Sequence, residues 1–422
     1  MNIKTWIYRI ALYALLFGVS ALTYGGNALS PFLEKAVNGI ALLGIPALVL
    51  FYFYQPGVYK VAAWALFLGV VLLVIESQYE YGKPVYSYFV IKRFAYCGLA
   101  LSAYFVAARA GVLKIKYAVN IIFGLYVVNQ LFLGQIFSYA LTSETRTTSA
   151  PEAFYLVIPF LYYTVRYFTE KKIWDLFGSV AVFGFIVFLL HRSVMSSAAV
   201  AGLLVTGLAA IGKISDGSLN VRRTLGTVMV VTLASLPFLG IMGSIKADGF
   251  MEQIAGIFDP AEDNTGSWRL EQITHYMNQF NDRPLLGWRY EGYDRGEIME
   301  NEDFPEKGTI IHSQYVDMLY NYGVVGLAIN LFIILGTLYV MYRRNPTFST
   351  EQAVLFGFIA SGLLFGISYQ LPVFYWGFVG LGMFYGLHRQ PDDVNPDDYD
   401  MVENEDDEHQ DNPTVYTPQI SI

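Results

Sequence analysis

Long apolar runs separated by short polar connections follow one another from the start of the chain to about residue 387. Many of the runs are roughly 20 residues long, the length that an α-helix needs to cross about 30 Å of hydrocarbon. The runs are continuous rather than alternating, so the pattern predicts helices and not the strands of a β-barrel. We expect about twelve spans, near residues 6–24, 37–54, 58–75, 89–108, 117–140, 152–169, 173–190, 194–212, 224–241, 314–341, 353–369 and 371–387.

The predicted fold is an all-α polytopic membrane protein with about twelve transmembrane helices and one long, partly helical periplasmic loop. In this scheme residues 1–241 hold the first nine helices, and residues 242–312 form the loop. Residues 313–388 hold the last three helices, and residues 389–422 form a tail.

The composition supports membrane insertion, since 55% of the residues are hydrophobic and only 15% are charged. A soluble protein of this size would interleave its apolar segments with more charge. The net charge of −8 comes from the tail, which has eleven acidic residues and one basic residue after His388. We expect this tail to be disordered and solvated in the cytoplasm. The single cysteine, Cys97, excludes a disulfide framework and a metal site built from cysteines.

Basic residues in the short connections predict the orientation of the chain. With the N-terminus inside, the cytoplasmic connections collect Lys4, Lys60, Arg109, Lys114, Lys116, Lys171, Lys172, Lys213, Arg222, Arg223, Arg343 and Arg344. The alternate connections are poor in Lys and Arg and carry several acidic residues. The loop over residues 242–312 is therefore expected to face outward.

The segment LLHRSVMSSAAVAGLL, residues 189–204, places Arg192 at the predicted outer end of a span. An arginine at the bilayer centre costs about 2.5–3.5 kcal/mol on insertion scales, and much of this cost is relieved when the side chain reaches the interface. Arg192 is therefore either an ordinary interfacial residue or a functional one. The residues alone leave both interpretations open.

The outer loop contains the run SWRLEQITHYMNQF, whose apolar residues at helical spacing predict an amphipathic helix that begins near Ser267. Arg269 would lie in the first turn, where free backbone N–H groups also favour an anion. His312 directly precedes the next span, and a neutral imidazole there is suited to accept a proton near pH 7. A surface arginine and a structural histidine are the alternatives. Gly323 and Gly326 in that span are predicted to allow close helix packing.

Arg192, Arg269 and His312 are all predicted to reach the outer face. Two guanidinium groups and one base suit a substrate with a diphosphate and a hydroxyl, since guanidinium groups bind phosphate oxygens in bidentate fashion. The sequence has no His or Cys cluster at metal-ligand spacing and no phosphate-binding loop. We therefore expect neither a metal nor a cofactor.

Three segments in this order resemble the O-antigen ligase and polymerase superfamily of bacterial envelope glycan enzymes. HRSVMSSAAVAGLLV resembles the segment in which an Arg opens a span of small residues. WRLEQITHYMNQFNDRPLLGWRYEGYD resembles the outer-loop segment of Arg, helix and Pro-Leu-Leu-Gly turn, and IHSQYVDMLYNYGVVG resembles the His that begins a span ending in Gly. The agreement covers roughly residues 140–340.

A fourth segment, RTTSAPEAFYLVIPF, resembles the family's loop in which an Arg is followed by Pro and a new span, and it adds Arg146 as a candidate substrate contact. Two positions depart from the family's pattern. His191 stands where Ser is usual, and Trp288 and Arg289 stand where a second glycine often closes the turn. Arg289 is therefore a further candidate contact for phosphate or sugar.

The resemblance implies a metal-independent, polyprenyl-diphosphate-dependent glycosyltransferase of the bacterial inner (cytoplasmic) membrane, with its active site facing the periplasm. The donor would be a glycan on undecaprenyl pyrophosphate, and the acceptor hydroxyl would belong to another glycan or to the lipid A core. Arg192 and Arg269 would bind the diphosphate, and His312 would be the catalytic residue that orients or deprotonates the acceptor. Membrane lipid and, for a polymerase, a chain-length regulator are the further partners; no nucleic acid is expected.

The acceptor separates an O-antigen or exopolysaccharide polymerase from an O-antigen ligase, which transfers the glycan to lipid A core. Residues 242–312 contain fourteen acidic and six basic residues, a balance that would repel a phosphate-rich core and so favours the polymerase. A transporter or flippase for lipid-linked sugars is a third alternative, because it would also need many spans and buried arginines. The sequence has no evident paired halves with broken helices, which disfavours the transporter.

Overall fold

The computed structural model describes residues 3–13, 16–17, 57–82, 88–111, 113–133, 148–189, 191–215, 217, 264–288 and 311–387. These residues form helices and turns, with one isolated bridge between Ile214 and Phe348 and no strand among them. Predictions for Arg146, Arg289 and the acidic tail lie outside the described residues, as do those for most of the outer loop.

The helices of the described part, labelled in chain order, are α1 (Ile3–Tyr13), α2 (Gly57–Tyr81), α3 (Tyr88–Ala110), α4 (Ile115–Leu133), α5 (Ala150–Phe154), α6 (Val157–Glu170), α7 (Ile173–Phe188), α8 (Arg192–Ala210), α9 (Asn264–Phe280), α10 (Gln314–Arg344), α11 (Thr350–Ser368) and α12 (Val373–Leu387).

Four of the described helices are long and apolar enough to cross a membrane: Tyr59–Tyr79, Arg192–Ala210, Gln314–Arg344 and Thr350–Ser368. The end of α3 and the start of α4 form a further apolar pair, bent by 120°. The chain is therefore a multi-pass membrane protein. The count of about twelve spans depends partly on residues outside the described ranges and stays a prediction.

Small residues bring the helices of the bundle into close contact. A Cβ added to Gly380 of α12 would collide with the backbone oxygen of Ala100 in α3. A Cβ on Gly357 of α11 would meet Val205 of α8 at 2.8 Å and Leu161 of α6 at 3.0 Å. In hydrocarbon the hydrophobic effect does not drive helices together. Helices there associate through close packing, which small residues allow.

One end of the bundle, which we call the Phe348 end, ties α8, α10 and α11 together. The Lys213 Nζ donates hydrogen bonds to the backbone oxygens of Tyr342 (2.9 Å) and Asn345 (2.6 Å), at the end of α10. The Phe348 N–H donates to the Lys213 oxygen at 2.6 Å, just before α11 begins. A lysine at this position satisfies carbonyl groups that the end of a helix leaves free.

Helix α10 is broken at Gly323, which has φ 64° and ψ −167°. Asn330 Nδ2 lies 3.7 Å from Met318 Sδ, although twelve residues of straight helix would separate their backbones by about 18 Å. The first segment of α10 therefore folds back toward the second. Gly323 was expected to allow close packing of helices; what packs closely against it is the backbone of Leu285, in a turn, and its positive φ, which is disfavoured for residues with a Cβ, makes the break.

The turn that follows α9 fills the break in α10. The N–H groups of Val324 and Val325 donate to the oxygens of Pro284 (2.8 Å) and Leu285 (3.3 Å). The Trp288 N–H donates to the Tyr320 oxygen at 2.7 Å. Backbone groups that the broken helix leaves free are thus satisfied by the turn, as a membrane-embedded chain requires.

Candidate active site

Helix α9 begins at Asn264, earlier than the sequence predicts. Ser267 therefore lies inside the helix and is not its cap. Arg269 is the sixth residue of α9 and lies beyond the first turn. The prediction that free backbone N–H groups of the helix start favour an anion beside Arg269 is therefore wrong. The group of Arg269 that is available to bind an anion is therefore its guanidinium, without the backbone N–H groups of the helix start.

Arg269 and His312 meet at Tyr369, which follows the last residue of α11. The Arg269 Nη2 donates a hydrogen bond to the Tyr369 hydroxyl at 2.9 Å, and the guanidinium carbon lies 4.7 Å from the centre of the Tyr369 ring. The His312 ring centre lies 6.3 Å from the same ring. The Tyr369 ring is itself stacked on Phe365 at 5.3 Å, which fixes its direction. One aromatic side chain thus holds the cation and the imidazole at the same site.

Three amide side chains fix the segment that carries His312. The His312 N–H donates to Gln272 Oε1 at 3.2 Å, one turn along α9 from Arg269. Gln370 Nε2 donates to the Ile311 oxygen at 2.5 Å, and Gln314 Oε1 accepts from the Leu371 N–H at 2.9 Å. His312 is therefore held between α9 and the connection from α11 to α12.

The Arg269 guanidinium retains unused hydrogen-bonding capacity. Its Nε is buried and has no hydrogen-bond partner among the described residues. Arg269 also takes no part in the ion pairs found in the described part of the chain. A buried polar atom without a partner costs about 1–3 kcal/mol, so this side chain is suited to accept an anionic ligand.

Arg192 is the first residue of α8, and the register of α8 against α11 gives its level in the bundle. The two helices run antiparallel, with Ile214 bridged to Phe348 at one end. Val205, nine residues before Ile214, packs against Gly357, nine residues after Phe348. Thirteen more residues along each chain lead to Arg192 and Gln370.

Arg192 and Tyr369 consequently both lie about 30 Å from the Phe348 end of the bundle, at 1.5 Å for each residue. We call the opposite end, which holds both residues, the Tyr369 end. Arg192, Arg269 and His312 thus lie at one end of the bundle, and Arg269 and His312 share Tyr369 as a direct contact.

His191 has a structural role. Its ring is buried, with 3% exposure, and its Nε2 lies 2.8 Å from the backbone oxygen of Thr148. A carbonyl oxygen accepts hydrogen bonds, so Nε2 carries the proton and donates. The ring therefore joins the start of α8 to the residues before α5.

The sequence did not single out Tyr369, Gln272 or Asp317. Asp317 is fully buried in the first segment of α10, and its Oδ1 accepts a hydrogen bond from Asn321 Nδ2 at 3.0 Å. An acidic residue inside an apolar run is a signal of function that sequence reasoning could have used. Within the described ranges, no group of three or more His, Cys, Asp or Glu residues is arranged to hold a metal ion.

Residues 177–331 match the O-antigen ligase family model, and this range includes Arg192, Arg269 and His312. No curated protein matches the chain in sequence. The resemblance to the O-antigen ligase and polymerase superfamily is confirmed over residues 177–331.

Proposed function

We propose that this protein is a membrane glycosyltransferase that moves a glycan from undecaprenyl pyrophosphate to an acceptor hydroxyl at the periplasmic face of the inner membrane. The observation that carries the proposal is the meeting of Arg269 and His312 at Tyr369. A permanent cation and a titratable base beside each other are what cleavage of a sugar–diphosphate bond by a hydroxyl requires.

Arg269 and Arg192 bind the diphosphate of the donor. Arginine keeps its charge at any working pH and binds phosphate oxygens through paired N–H groups. The buried Nε of Arg269, which has no hydrogen-bond partner in the described part of the chain, supports this role, as does the level of Arg192 at the same end of the bundle. Arg146 and Arg289 remain candidate additional contacts.

His312 accepts the proton of the acceptor hydroxyl. The acceptor oxygen forms a bond to the anomeric carbon on the face opposite the diphosphate, so the configuration inverts. The bond between that carbon and the phosphate oxygen breaks, and undecaprenyl pyrophosphate leaves with the electron pair. The two arginines stabilise the charge that develops on the leaving oxygen. In this scheme the residues need neither a metal nor a cofactor.

Tyr369 holds Arg269 beside His312 through its hydroxyl and its ring. The hydrogen bond fixes one Nη of the guanidinium group, while the ring face attracts the cation. A guanidinium held in one direction loses less freedom when phosphate binds. Tyr369 is therefore a positioning residue in the proposed mechanism.

The acceptor that we propose is another lipid-linked glycan, which makes the enzyme an O-antigen or exopolysaccharide polymerase. The excess of acidic residues over residues 242–312 supports this acceptor over a phosphate-rich core. The description of the matched family as O-antigen ligase favours a second candidate, transfer to the lipid A core.

Electrophoresis of the glycans from a strain that lacks the protein tests the proposal and separates the candidates. Loss of a polymerase leaves a single repeat on the core, whereas loss of a ligase leaves long chains on the carrier lipid. Restoration by the parent protein but not by His312→Ala or Arg269→Ala is the expected result. Full restoration by either variant would remove that residue from the mechanism, and a glycan pattern unchanged by the deletion would contradict the proposed function.

A further inference from the structure

The turn over Pro284–Gly287 combines a rigid attachment with an apolar, exposed surface. Its backbone is fixed in the break of α10 because its carbonyl oxygens accept hydrogen bonds from the N–H groups of Val324 and Val325. A Cβ on Gly287 would meet the backbone of Asn321 at 2.5 Å, so the turn and the break fit closely. Nevertheless Leu285 is 67% exposed and Leu286 is 47% exposed. Two leucines held outward on a rigid turn call for an apolar environment.

The exposed surface of the turn continues along α10. Val324 and Val325 beside the turn are 47% and 44% exposed. Exposed apolar side chains then recur at helical spacing toward the Phe348 end, at Phe332, Leu335 and Tyr339. Because α10 is long and apolar enough to span a membrane, this face of the helix is its lipid-facing surface. The turn therefore lies at one edge of the surface that contacts hydrocarbon.

The level of the turn agrees with the edge of the hydrocarbon layer. Arg343 and Arg344, both exposed, end α10, and such cations lie at the membrane interface rather than inside it. Twenty residues of helix, about 30 Å, lead from Arg343 back to Gly323, the residue at the break.

The side chains next to the turn are those of a membrane interface. The Arg283 guanidinium carbon lies 4.7 Å from the Trp288 ring centre, and the Trp288 Nε1 donates to the Gln279 oxygen at 2.8 Å. Tryptophan and arginine are typical of the headgroup level, where an apolar ring and a charged group are both accommodated. Side chains typical of the headgroup level therefore lie next to the turn, which also adjoins the exposed apolar surface of α10.

We propose that the Pro284–Gly287 turn is a membrane anchor, with Leu285 and Leu286 inserted among the lipid acyl chains of the leaflet at the Tyr369 end. The anchor follows the C-terminal end of α9, and so holds this end of the helix at the bilayer surface. Arg269 lies nearer the start of the same helix. Bilayer lipid is what covers the exposed leucine side chains of the turn. This inference does not depend on the proposed glycosyltransferase activity.

Depth-dependent fluorescence quenching tests the anchor in the full-length protein. Leu285→Cys and Leu286→Cys are each labelled with an environment-sensitive fluorophore and reconstituted into phosphatidylcholine vesicles that contain a spin label on the acyl chain near the headgroup. Cys97, the single native cysteine, is buried and reacts little, and the unsubstituted chain measures that background. Glu271→Cys, an exposed position of α9, is the matched control.

The labels at 285 and 286 are expected to emit at shorter wavelength and to be quenched by the spin-labelled lipid several-fold more than the label at 271. Quenching by aqueous iodide instead would overturn the anchor. Short-wavelength emission without quenching by lipid would also overturn it, since a protein surface would then cover the turn. Elution of each labelled variant at the volume of the parent protein on size-exclusion chromatography verifies the fold.

Discussion

Tyr369 contacts both Arg269 and His312, so loss of its hydroxyl is expected to affect the proposed reaction. Tyr369→Phe removes the hydrogen bond to Arg269 but keeps the ring that lies against the guanidinium and is stacked on Phe365. A hydrogen bond to a charged group contributes about 1.5–3 kcal/mol, so kcat/KM should fall about 10- to 100-fold. We expect the loss mainly in KM for the lipid-linked donor, because the bond holds the diphosphate-binding group in place.

The Arg269→Lys background provides the control for Tyr369. If Tyr369 acts through the guanidinium, Tyr369→Phe should cost little more once Arg269 is already lysine. An equal fold-loss in both backgrounds would show that Tyr369 acts independently of Arg269.

Glu170 is expected to stabilise the fold in a way that depends on pH. Hydrogen bonds from Arg166 and Lys172 lower the pKa of Glu170 from 4.5 to about 2. A carboxylate with a lowered pKa stabilises the fold above its ordinary pKa, and this contribution is lost as the pH falls through the lowered value. Glu170→Gln should therefore lower the unfolding temperature at about pH 7. The loss in free energy of unfolding should be less than about 1 kcal/mol, because the carboxylate is exposed and screened by solvent.

Thermal unfolding in detergent over a pH series measures the effect of Glu170. The difference between Glu170→Gln and the parent protein should shrink as the pH falls from 4.5 toward about 2. Glu271→Gln, an exposed residue of α9, is the control variant. A difference that stays constant over this range would show that the carboxylate charge is not what stabilises the junction of α6 and α7.

The sequence makes Arg269 and His312 candidates because Arg269 lies early in a predicted amphipathic helix and His312 directly precedes a predicted span, both within segments that resemble the O-antigen ligase and polymerase superfamily. It does not identify Tyr369, since the chain contains 32 tyrosines and no spacing distinguishes this one. Tyr369 becomes recognisable only when folding brings α9 and α11 together. Gln272 and Gln370 escape notice for the same reason, because their partners are backbone groups distant in sequence.

At the scale of elements, the break in α10 gives a prediction for Gly323. Gly323→Ala should destabilise the protein by about 1–3 kcal/mol or more, because the residue has φ 64° and its Cβ would collide with the backbone of Leu285. Gly336→Ala is the matched control on the same helix, where a Cβ meets nothing within 4 Å. It should change stability by less than about 1 kcal/mol.

Thermal unfolding followed by size-exclusion chromatography measures both glycine variants. Similar unfolding temperatures for Gly323→Ala and Gly336→Ala would mean that α10 tolerates an ordinary helical residue at the break. That result would contradict the bent path of α10.

The break itself could not be predicted from the apolar pattern. Residues 314–341 have the composition of one continuous span, and the sequence therefore predicts a straight helix. The N–H groups of Val324 and Val325, which lose their helical partners, donate instead to the backbone oxygens of Pro284 and Leu285, about forty residues earlier in the chain. Periodicity reports local preference and not contacts of this kind. The start of α9 was misplaced for a related reason, since a serine followed by an apolar pattern resembles a cap even inside a helix.

For the whole molecule, the account predicts that the Phe348 end faces the cytoplasm and the Tyr369 end faces the periplasm. Glu271→Cys and Asp282→Cys lie at exposed positions of the second end, and Lys172→Cys and Arg343→Cys lie at exposed positions expected at the first. In intact cells, a membrane-impermeant maleimide admitted to the periplasm should label only Glu271→Cys and Asp282→Cys. Labelling of Lys172→Cys or Arg343→Cys before the cells are lysed would reverse the orientation and remove the site from the periplasm.

The register of α8 against α11 places Arg192 and Tyr369 at one end of the bundle. Because α8 and α11 run antiparallel, the start of α8 and the end of α11 lie at the same level, so Arg192 and Tyr369 come to one end although they are far apart in the sequence. A pattern of alternating spans does not predict which side chains touch, and the contact of Arg269 with Tyr369 required the structure.

Glycan transfer by purified protein, in liposomes that contain a glycan linked to undecaprenyl pyrophosphate, tests the proposed reaction itself. We predict that the parent protein lengthens the glycan and releases the diphosphate carrier in the presence of a metal chelator. His312→Ala should lower the rate about 10²- to 10⁴-fold, while His275→Ala, a histidine on α9 that makes no proposed substrate contact, should leave it unchanged. Movement of the donor across the bilayer without lengthening, or full activity of His312→Ala, would contradict the account.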